Sequence, residues 1–265
     1  MSRFFVLLIC LSTFLLTSCN FTEEITFQPD GSGEFMMNYD LSEVLNTLEE
    51  MGGDNDSSEK KEEKKVDSVI YFKDILVEKA DSISTLSLEE QNKLKALETI
   101  VMRIKVDEES GAFNFGFGST FENLDELPEV LEKIEQAKAF NSKDDAQFSK
   151  LDQSAVANSA KDMFEYVDYS YDGKTFSRTL KEDFVRSPED LEVLNSEISQ
   201  MGDDSKDTFD DMTYTLIYHF PKPIKSVTNK EAIISADKKT VTLKLNFMEM
   251  MKSPEKGTLK VILKD

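Results

Sequence analysis

The two cysteines of this 265-residue chain constrain its fold more than any other feature. Both Cys10 and Cys19 lie at the N-terminus, so the chain after Cys19 has no disulfide, no thiol nucleophile and no thiolate metal ligand. Its stability must therefore come from an apolar core. With 39% hydrophobic residues, including 19 Phe and 11 Met, the chain has enough apolar side chains for one large or two modest domains.

The N-terminus has the pattern of a secretory signal peptide. Arg3 supplies a positive charge, and an uncharged apolar stretch follows from Phe4 to Leu16. As a helix this stretch would be about 20 Å long, whereas the hydrocarbon core of a bilayer is about 30 Å thick. We therefore expect residues 1–18 to be a cleaved signal peptide and not a membrane span.

Leu16-Thr17-Ser18-Cys19 closes the apolar stretch and resembles the lipobox of bacterial lipoproteins. The resemblance implies that the Cys19 thiol is linked to diacylglycerol, that residues 1–18 are removed, and that the new amine is available for acylation. Each buried CH₂ contributes about 0.8 kcal/mol, so two or three acyl chains give an attachment that is in effect permanent. Cys19 is thus the predicted lipidation site, and the membrane is a predicted partner.

The residues after Cys19 refine the predicted location. Asn20 differs from the Asp that resembles the inner-membrane retention signal of enteric lipoproteins. Glu23-Glu24 resembles the acidic surface-export signal of Bacteroidota lipoproteins. These resemblances imply a lipid-anchored protein of the bacterial cell envelope, in the outer membrane. They leave open whether it faces the periplasm or the cell surface.

The charge of the chain argues against a nucleic-acid partner. The net charge is −21, and removal of residues 1–18 takes away Arg3 and no acidic residue. Phosphate binding needs clustered Lys and Arg, which are absent outside the mixed run near residue 60. The same negative charge disfavours peripheral binding to anionic lipid and leaves the covalent anchor to hold the protein at the membrane.

Alternating apolar residues and turn signals predict an α+β fold with antiparallel hairpins, a C-terminal antiparallel sheet and several amphipathic helices. Turn residues predict hairpins around Pro29–Gly33, Asp107–Gly111 and Asp172–Gly173. Capping residues and apolar spacing predict helices that begin near Asp40, Ser87, Leu124 and Ser187. Four C-terminal strands are predicted to share one sheet: Met212–Phe220, Ile233–Ser235, Thr240–Phe247 and Thr258–Leu263.

Composition divides the chain into an N-terminal α+β region (19–138) and a C-terminal α+β region (163–265). The stretch 52–65 is charged and nearly without apolar residues, which predicts a mobile loop. Residues 139–162 are polar and weakly periodic, which is typical of a linker. A single continuous domain formed by both regions remains the alternative.

Several turn and strand motifs are similar to those of LppM-type bacterial lipoproteins. They are a strand that ends at Pro221, the Asn-containing turn 224–229, the strand that opens after Asp237, and the hairpin 27–35 close behind Cys19. The resemblance implies an α+β envelope domain of unassigned role and supplies no catalytic residue. The chain departs from the family because it has no apolar C-terminal membrane span.

No set of residues predicts a catalytic, cofactor or metal site. His219 is the only histidine, and the sequence names neither a nucleophile nor an orienting partner, so we expect a packed or surface strand residue. Two acidic clusters lack the spacing of an EF-hand loop, and we expect solvated charge there: Asp54, Asp56 and Glu59, and Asp203, Asp204, Asp207, Asp210 and Asp211.

The sequence therefore favours a non-enzymatic interaction or binding module that needs no cofactor and has another envelope protein as a possible partner. A carrier of an apolar or lipid ligand is the first alternative, since the many Phe and Met could line a cavity. A carboxylate-based hydrolase is the second. A Phe-lined hollow would favour the carrier, and two convergent carboxylates in a cleft would favour the hydrolase. The oligomeric state is not encoded in any motif.

Overall fold

The computed structural model describes residues 20–40, 42, 65–107, 109–129, 166–185, 187–200 and 211–265. Within these ranges the chain forms an α+β fold of two β-sheets and short helices, which confirms the predicted class. The signal peptide, Cys19, residues 52–64 of the charged stretch and the linker 139–162 lie outside the described residues.

Residues 20–40 form the first predicted hairpin. Strands β1 (Asn20–Phe27) and β2 (Gly33–Asp40) pair antiparallel along their full length. Their turn contains Gly31 at φ 94°, a backbone conformation that glycine adopts without steric cost. The helix predicted after Asp40 lies outside the described residues apart from Ser42.

The second predicted hairpin follows a group of short helices. The elements in order are β3 (Lys65–Tyr71), α1 (Phe72–Glu78), α2 (Ala80–Ile83), α3 (Leu88–Ala96), β4 (Ile100–Asp107), β5 (Ala112–Phe121) and a 3₁₀ turn (Leu124–Glu126). Helix α3 begins with the predicted capping box. Ser87 Oγ accepts from the Glu90 N–H (3.3 Å), and the Glu90 carboxylate accepts from the Ser87 N–H (3.0 Å).

The remaining described elements begin with the third predicted hairpin, which turns at Gly173 (φ 83°). They are β6 (Val167–Tyr171), β7 (Thr175–Leu180), α4 (Pro188–Gln200), β8 (Thr213–His219), β9 (Ile224–Val227), β10 (Ile233–Ile234), β11 (Thr240–Asn246), α5 (Phe247–Lys252), a 3₁₀ turn (Pro254–Gly257) and β12 (Leu259–Leu263). Pro188 opens α4 at the first helical position, as predicted.

Eight strands form sheet A in the order β10-β11-β8-β1-β2-β5-β4-β3, and four form sheet B in the order β6-β7-β12-β9. The described neighbours pair antiparallel except for β1 and β8, which are parallel. The finer prediction of one C-terminal sheet is wrong, because β12 lies in sheet B whereas β8, β10 and β11 lie in sheet A. The chain passes from sheet A to sheet B at Pro221-Lys222-Pro223, before β9, and again after β11, through α5 and the 3₁₀ turn that Pro254 opens; proline cannot donate a ladder hydrogen bond.

The core lies between the inner face of sheet A and sheet B. Phe176 on β7 contacts Phe27 on β1 and Tyr218 on β8, with ring centroids 5.5 and 4.7 Å apart. Aromatic pairs of this kind contribute about 0.5–1.5 kcal/mol beyond their buried area. The two sheets are thus joined through strands from both the N-terminal and the C-terminal parts of the chain.

Strand β5 alternates aromatic residues with glycines. Phe117 packs in the core, and Gly118 lies on the outer face of sheet A. A Cβ on Gly118 would lie 1.9 Å from the Phe35 carbonyl oxygen and 2.5 Å from the Met36 sulfur. The glycine is needed because the Phe35 carbonyl group and Met36 leave no room for a side chain at this point.

Candidate functional site

Glu23 and Glu24 are consecutive in β1 and point to opposite faces of sheet A, because side chains alternate along a strand. Glu23 faces the core and is fully buried, whereas the side chain of Glu24 is 24% exposed on the outer face. Each carboxylate organises a polar group of its own, and the two groups differ in access to solvent.

The inner group is a buried ion pair between the two sheets. The Glu23 carboxylate accepts hydrogen bonds from Arg178 Nε (3.3 Å) and Nη2 (3.2 Å), and from the hydroxyls of Tyr214 (3.0 Å) and Tyr218 (2.5 Å). Arg178 Nη1 donates to the Gly257 carbonyl oxygen at 3.1 Å. Both charged side chains are fully buried, so each of them is compensated inside the core.

The electrostatics of this buried group keep its charges in place. Burial, followed by the negative charge of Glu23, raises the pKa of Tyr169, Tyr214 and Tyr218 well above the usual value. Burial acts to lower the pKa of Arg178, but the Glu23 carboxylate and the tyrosines outweigh it and raise that pKa. The tyrosines therefore stay neutral and Arg178 stays charged. A group closed to solvent in this way serves the fold and not a substrate.

The outer group, which we call the His219 cluster, consists of Thr240, His219, Glu24, Arg103 and Glu34. His219 Nδ1 lies 2.9 Å from Thr240 Oγ1, and His219 Nε2 lies 3.0 Å from Glu24 Oε1. A hydroxyl, an imidazole and a carboxylate are thus joined in one hydrogen-bonded chain across β11, β8 and β1. This order of groups can support general-base chemistry at a hydroxyl.

Arg103 on β4 links the two carboxylates of the His219 cluster. Its Nη1 lies 3.5 Å from Glu24 Oε2, and its Nη2 contacts the Glu34 carboxylate. It reaches them by crossing β5 at Gly116, where a Cβ would lie 3.2 Å from Arg103 Cβ and 2.4 Å from the side-chain oxygen of Asn38. A glycine in the neighbouring strand therefore makes room for the contact between Arg103 and the carboxylates.

The pKa values of Glu24 and Glu34 shift in opposite directions. The hydrogen bond from His219 lowers the pKa of Glu24 despite partial burial, and the charge of Arg103 adds to the effect. Burial raises the pKa of Glu34 and outweighs the opposing charge of Arg103. Carboxylates whose pKa values diverge in this way are found in acid–base pairs, although ion-pair networks also produce such shifts.

A cleft of about 540 Å³ opens at the C-terminal end of β1, between turns of both sheets. It is lined by Pro29, Asp30, Gly31, Glu122, Asn123, Tyr171, Asp172, Gly173, Pro221 and Lys222. The ring of Tyr171 packs on Phe27 with centroids 4.3 Å apart, which holds it in place at the edge of the core. The lining combines one aromatic ring and two prolines with four charged side chains, so the cleft is mostly polar.

The structure leaves most of the predicted site residues untested. Cys19 and the acidic residues Asp54, Asp56, Glu59 and 203–210 lie outside the described residues. His219 is a strand residue, and its imidazole is 36% exposed and held by two partners. Within the described ranges, no group of three or more His, Cys, Asp or Glu side chains could hold a metal ion.

The buried ion pair escaped the sequence analysis, although a signal for it exists. Phe21, Ile25 and Phe27 mark the inward positions of β1, and Glu23 occupies an inward position among them. Arg178 follows Phe176 in β7 with the same spacing. A charged residue at an inward position of an otherwise apolar strand face indicates a buried charge that needs a partner.

The chain matches no protein-family model and no curated protein. It is similar to the NMR structure of the folded domain of the Mycobacterium tuberculosis LppM protein, with 8% sequence identity and a TM-score of 0.35. The match covers 93% of this chain and 90% of that chain. A TM-score of 0.35 is too low to support a conclusion about fold or function. In the described part of the chain, no helix has the length and apolar character to cross a membrane.

The opposite pKa shifts of Glu24 and Glu34 predict opposite effects of pH on the two Gln variants. The wild type should have a higher free energy of unfolding than Glu24→Gln. This difference should be complete above pH 4.5, the ordinary pKa of a glutamate, and should vanish as the pH falls through the lowered pKa of Glu24. The wild-type advantage over Glu34→Gln should instead increase as the pH falls through the raised pKa of Glu34. We expect changes of about 1 kcal/mol, the size typical of partly exposed ion pairs.

Urea unfolding at several pH values between 3 and 7, at constant ionic strength, measures both differences. The two variants are matched controls for each other, because both remove one carboxylate that contacts Arg103. If the stability difference from the wild type changes with pH in the same way for both variants, the pKa values of the two carboxylates do not shift in opposite directions.

Proposed function

We propose that this chain is a lipid-anchored protein of the bacterial cell envelope that acts as a non-enzymatic interaction module. The observation that carries the proposal is the start of the fold: β1 begins at Asn20, the residue directly after the lipobox cysteine Cys19. A chain that enters a sheet one residue after its anchor is held against the membrane as a compact domain. We place the protein in the outer membrane on the resemblance of residues 16–24 to lipoprotein signals.

The cleft at the far end of β1 is the proposed interaction surface. It lies between the β1–β2 turn, the end of β5, the β6–β7 turn and the connection after β8, so elements of both sheets shape it. Its turns are ordered by side-chain hydrogen bonds. Asp172 Oδ1 accepts from the N–H groups of Lys174 (2.9 Å) and Thr175 (2.6 Å), and Asn123 Oδ1 accepts from Asp125 (3.1 Å). Preordered turns reduce the entropy cost of binding.

A carrier of an apolar ligand is less well supported by this cleft. The aromatic residues beneath it fill the space between the sheets, with Phe27 in ring contact with Phe121, Tyr171, Phe176 and Phe220 at 4.3–6.1 Å. The lining of the cleft also carries four charged side chains: Asp30, Glu122, Asp172 and Lys222. An apolar ligand would leave these charges poorly solvated.

A hydrolase is the second candidate function, and the His219 cluster is the observation that favours it. Thr240, His219 and Glu24 supply the nucleophile, base and orienting carboxylate that the sequence could not name. The proposed interaction module needs none of these roles. An activity assay of the Thr240→Ala variant therefore distinguishes the two functions.

Removal of the anchor provides the first test. Cys19→Ser should shift the protein from the membrane fraction to the soluble fraction and abolish its labelling with fatty acid, because the thiol is the attachment point. Cys10→Ser is the matched control, since Cys10 lies within the predicted signal peptide and should leave fractionation and labelling unchanged. A Cys19→Ser protein that stays in the membrane fraction would contradict the anchor.

Photocrosslinking provides the second test. A photoreactive phenylalanine analogue in place of Lys222, which lines the cleft, should give a discrete crosslinked product in intact cells. The same analogue in place of Lys244, an exposed residue on the outer face of β11, should give none. Equal yields at both positions, or a product that persists unchanged in the released Cys19→Ser protein, would argue against the cleft as the interaction surface.

The hydrolase alternative is tested with purified protein and a chromogenic acetate ester. The proposed function predicts that the wild type releases the chromophore no faster than buffer and that Thr240→Ala changes nothing. If the wild type is active and Thr240→Ala alone abolishes the activity, the hydrolase is correct and the non-enzymatic assignment is wrong. Thr242→Ala, two residues along the same face of β11, controls for damage to the strand.

A further inference from the structure

One end of sheet A collects the residues closest to the predicted anchor. Asn20 at the start of β1 pairs with Asp40 on β2 and with Thr213 on β8, and Thr213 pairs with Asn246 on β11. We call these four strand ends the anchor rim. On the condition that the proposed function is correct and Cys19 carries lipid, we propose that the anchor rim faces the bilayer and that the cleft points away from it.

The tether between lipid and sheet is a single peptide unit. Consecutive Cα atoms are about 3.8 Å apart, so Cys19 lies that close to the first residue of β1. Asn20 is in turn held by strands on both sides, and its side chain accepts a hydrogen bond from Thr213 Oγ1. No linker remains through which the domain could turn end over end, and the rim must stay next to the lipid headgroups.

The opposite end of the sheet lies one strand length away. β1 has eight residues, and a strand rises about 3.3 Å per residue, so Phe27 and the turn after it are about 25 Å from the rim along β1. Phe27 pairs with Gly33, and Gly33 pairs with Phe121, which places the end of β5 beside the same turn. The cleft begins at these turns, and a domain that stands on its rim presents the cleft to the surroundings.

Electrostatic attraction does not set the orientation of the domain, because acidic side chains lie at the rim itself and the chain as a whole is acidic. Asp40 is the last residue of β2 at the rim. Asp107 and Glu109 lie at the neighbouring β4–β5 hairpin, where both carboxylates form ion pairs with Lys65. The whole chain carries a net charge of −21. An anionic membrane therefore offers the sides of the domain no net attraction, and the short tether alone determines which end lies next to the bilayer.

Single cysteines can test this orientation, because the mature chain has no free thiol once Cys19 is lipidated. Ser110→Cys marks the β4–β5 hairpin at the rim end, and Gln28→Cys marks the β1–β2 turn at the cleft end; both positions are exposed. Each full-length protein is lipidated in cells, labelled with a fluorescent maleimide and reconstituted into phosphatidylcholine vesicles that contain a lipid with a nitroxide headgroup.

We expect the label at position 110 to lose most of its fluorescence and the label at position 28 to lose little. Equal quenching at both positions, or stronger quenching at position 28, would overturn the proposed orientation even though the protein is anchored. If neither labelled protein floats with the vesicles, the anchor itself fails, which overturns the proposed function together with the orientation. Unchanged urea midpoints of both variants control for damage to the fold.

Lipid composition gives an independent readout of the charge argument. When part of the phosphatidylcholine is replaced by phosphatidylglycerol at low salt, the difference in quenching between positions 110 and 28 should persist. If anionic lipid instead makes the quenching at the two positions equal, the domain lies on its side, and the tether does not determine the orientation.

Discussion

The ion pair between Glu23 and Arg178 is the constraint on which the rest of the fold depends. It joins the centre of sheet A to sheet B, and both side chains are fully buried. Burying an ion costs several kcal/mol even after relaxation, and here hydrogen bonds from two tyrosines and to the Gly257 carbonyl offset that cost. Removal of one partner would leave an unpaired charge in the core, which typically costs about 3–5 kcal/mol.

This pair also sets the register of β1. A shift of one residue would turn Glu23 outwards and bring Glu24 into the core, away from His219, since side chains alternate along a strand. The correct register places Asn20 in the sheet directly after Cys19 and brings Glu24 to Arg103 on the outer face. The position of Glu24 in the His219 cluster is therefore a consequence of how Glu23 is buried.

Local features of this fold could be predicted from the sequence, and long-range pairings could not. Asp172-Gly173 indicates its hairpin because few residue pairs fit that turn, and Ser87 with Glu90 indicates the start of α3 through a capping box. The parallel pairing of β1 with β8 joins residues 193 positions apart, such as Asn20 and Thr213, and no local pattern encodes it. For the same reason the partners of His219 could not be predicted from the sequence, since Glu24 and Thr240 come from different parts of the chain.

The backbone around the His219 cluster supports the proposed interaction module over the hydrolase alternative. A hydroxyl nucleophile needs free N–H donors nearby to stabilise an oxyanion. The N–H of Thr240 already donates to Ser235 Oγ at 3.0 Å, and the neighbouring strands engage their backbone groups in the ladder. The turns that line the cleft are different, because their backbones leave the ladder at Pro29, Gly173 and Pro221. Charged side chains at these turns, such as Glu122 and Lys222, lie outside the ladder and line the cleft, which is why the cleft and not the sheet face is the better candidate for recognition.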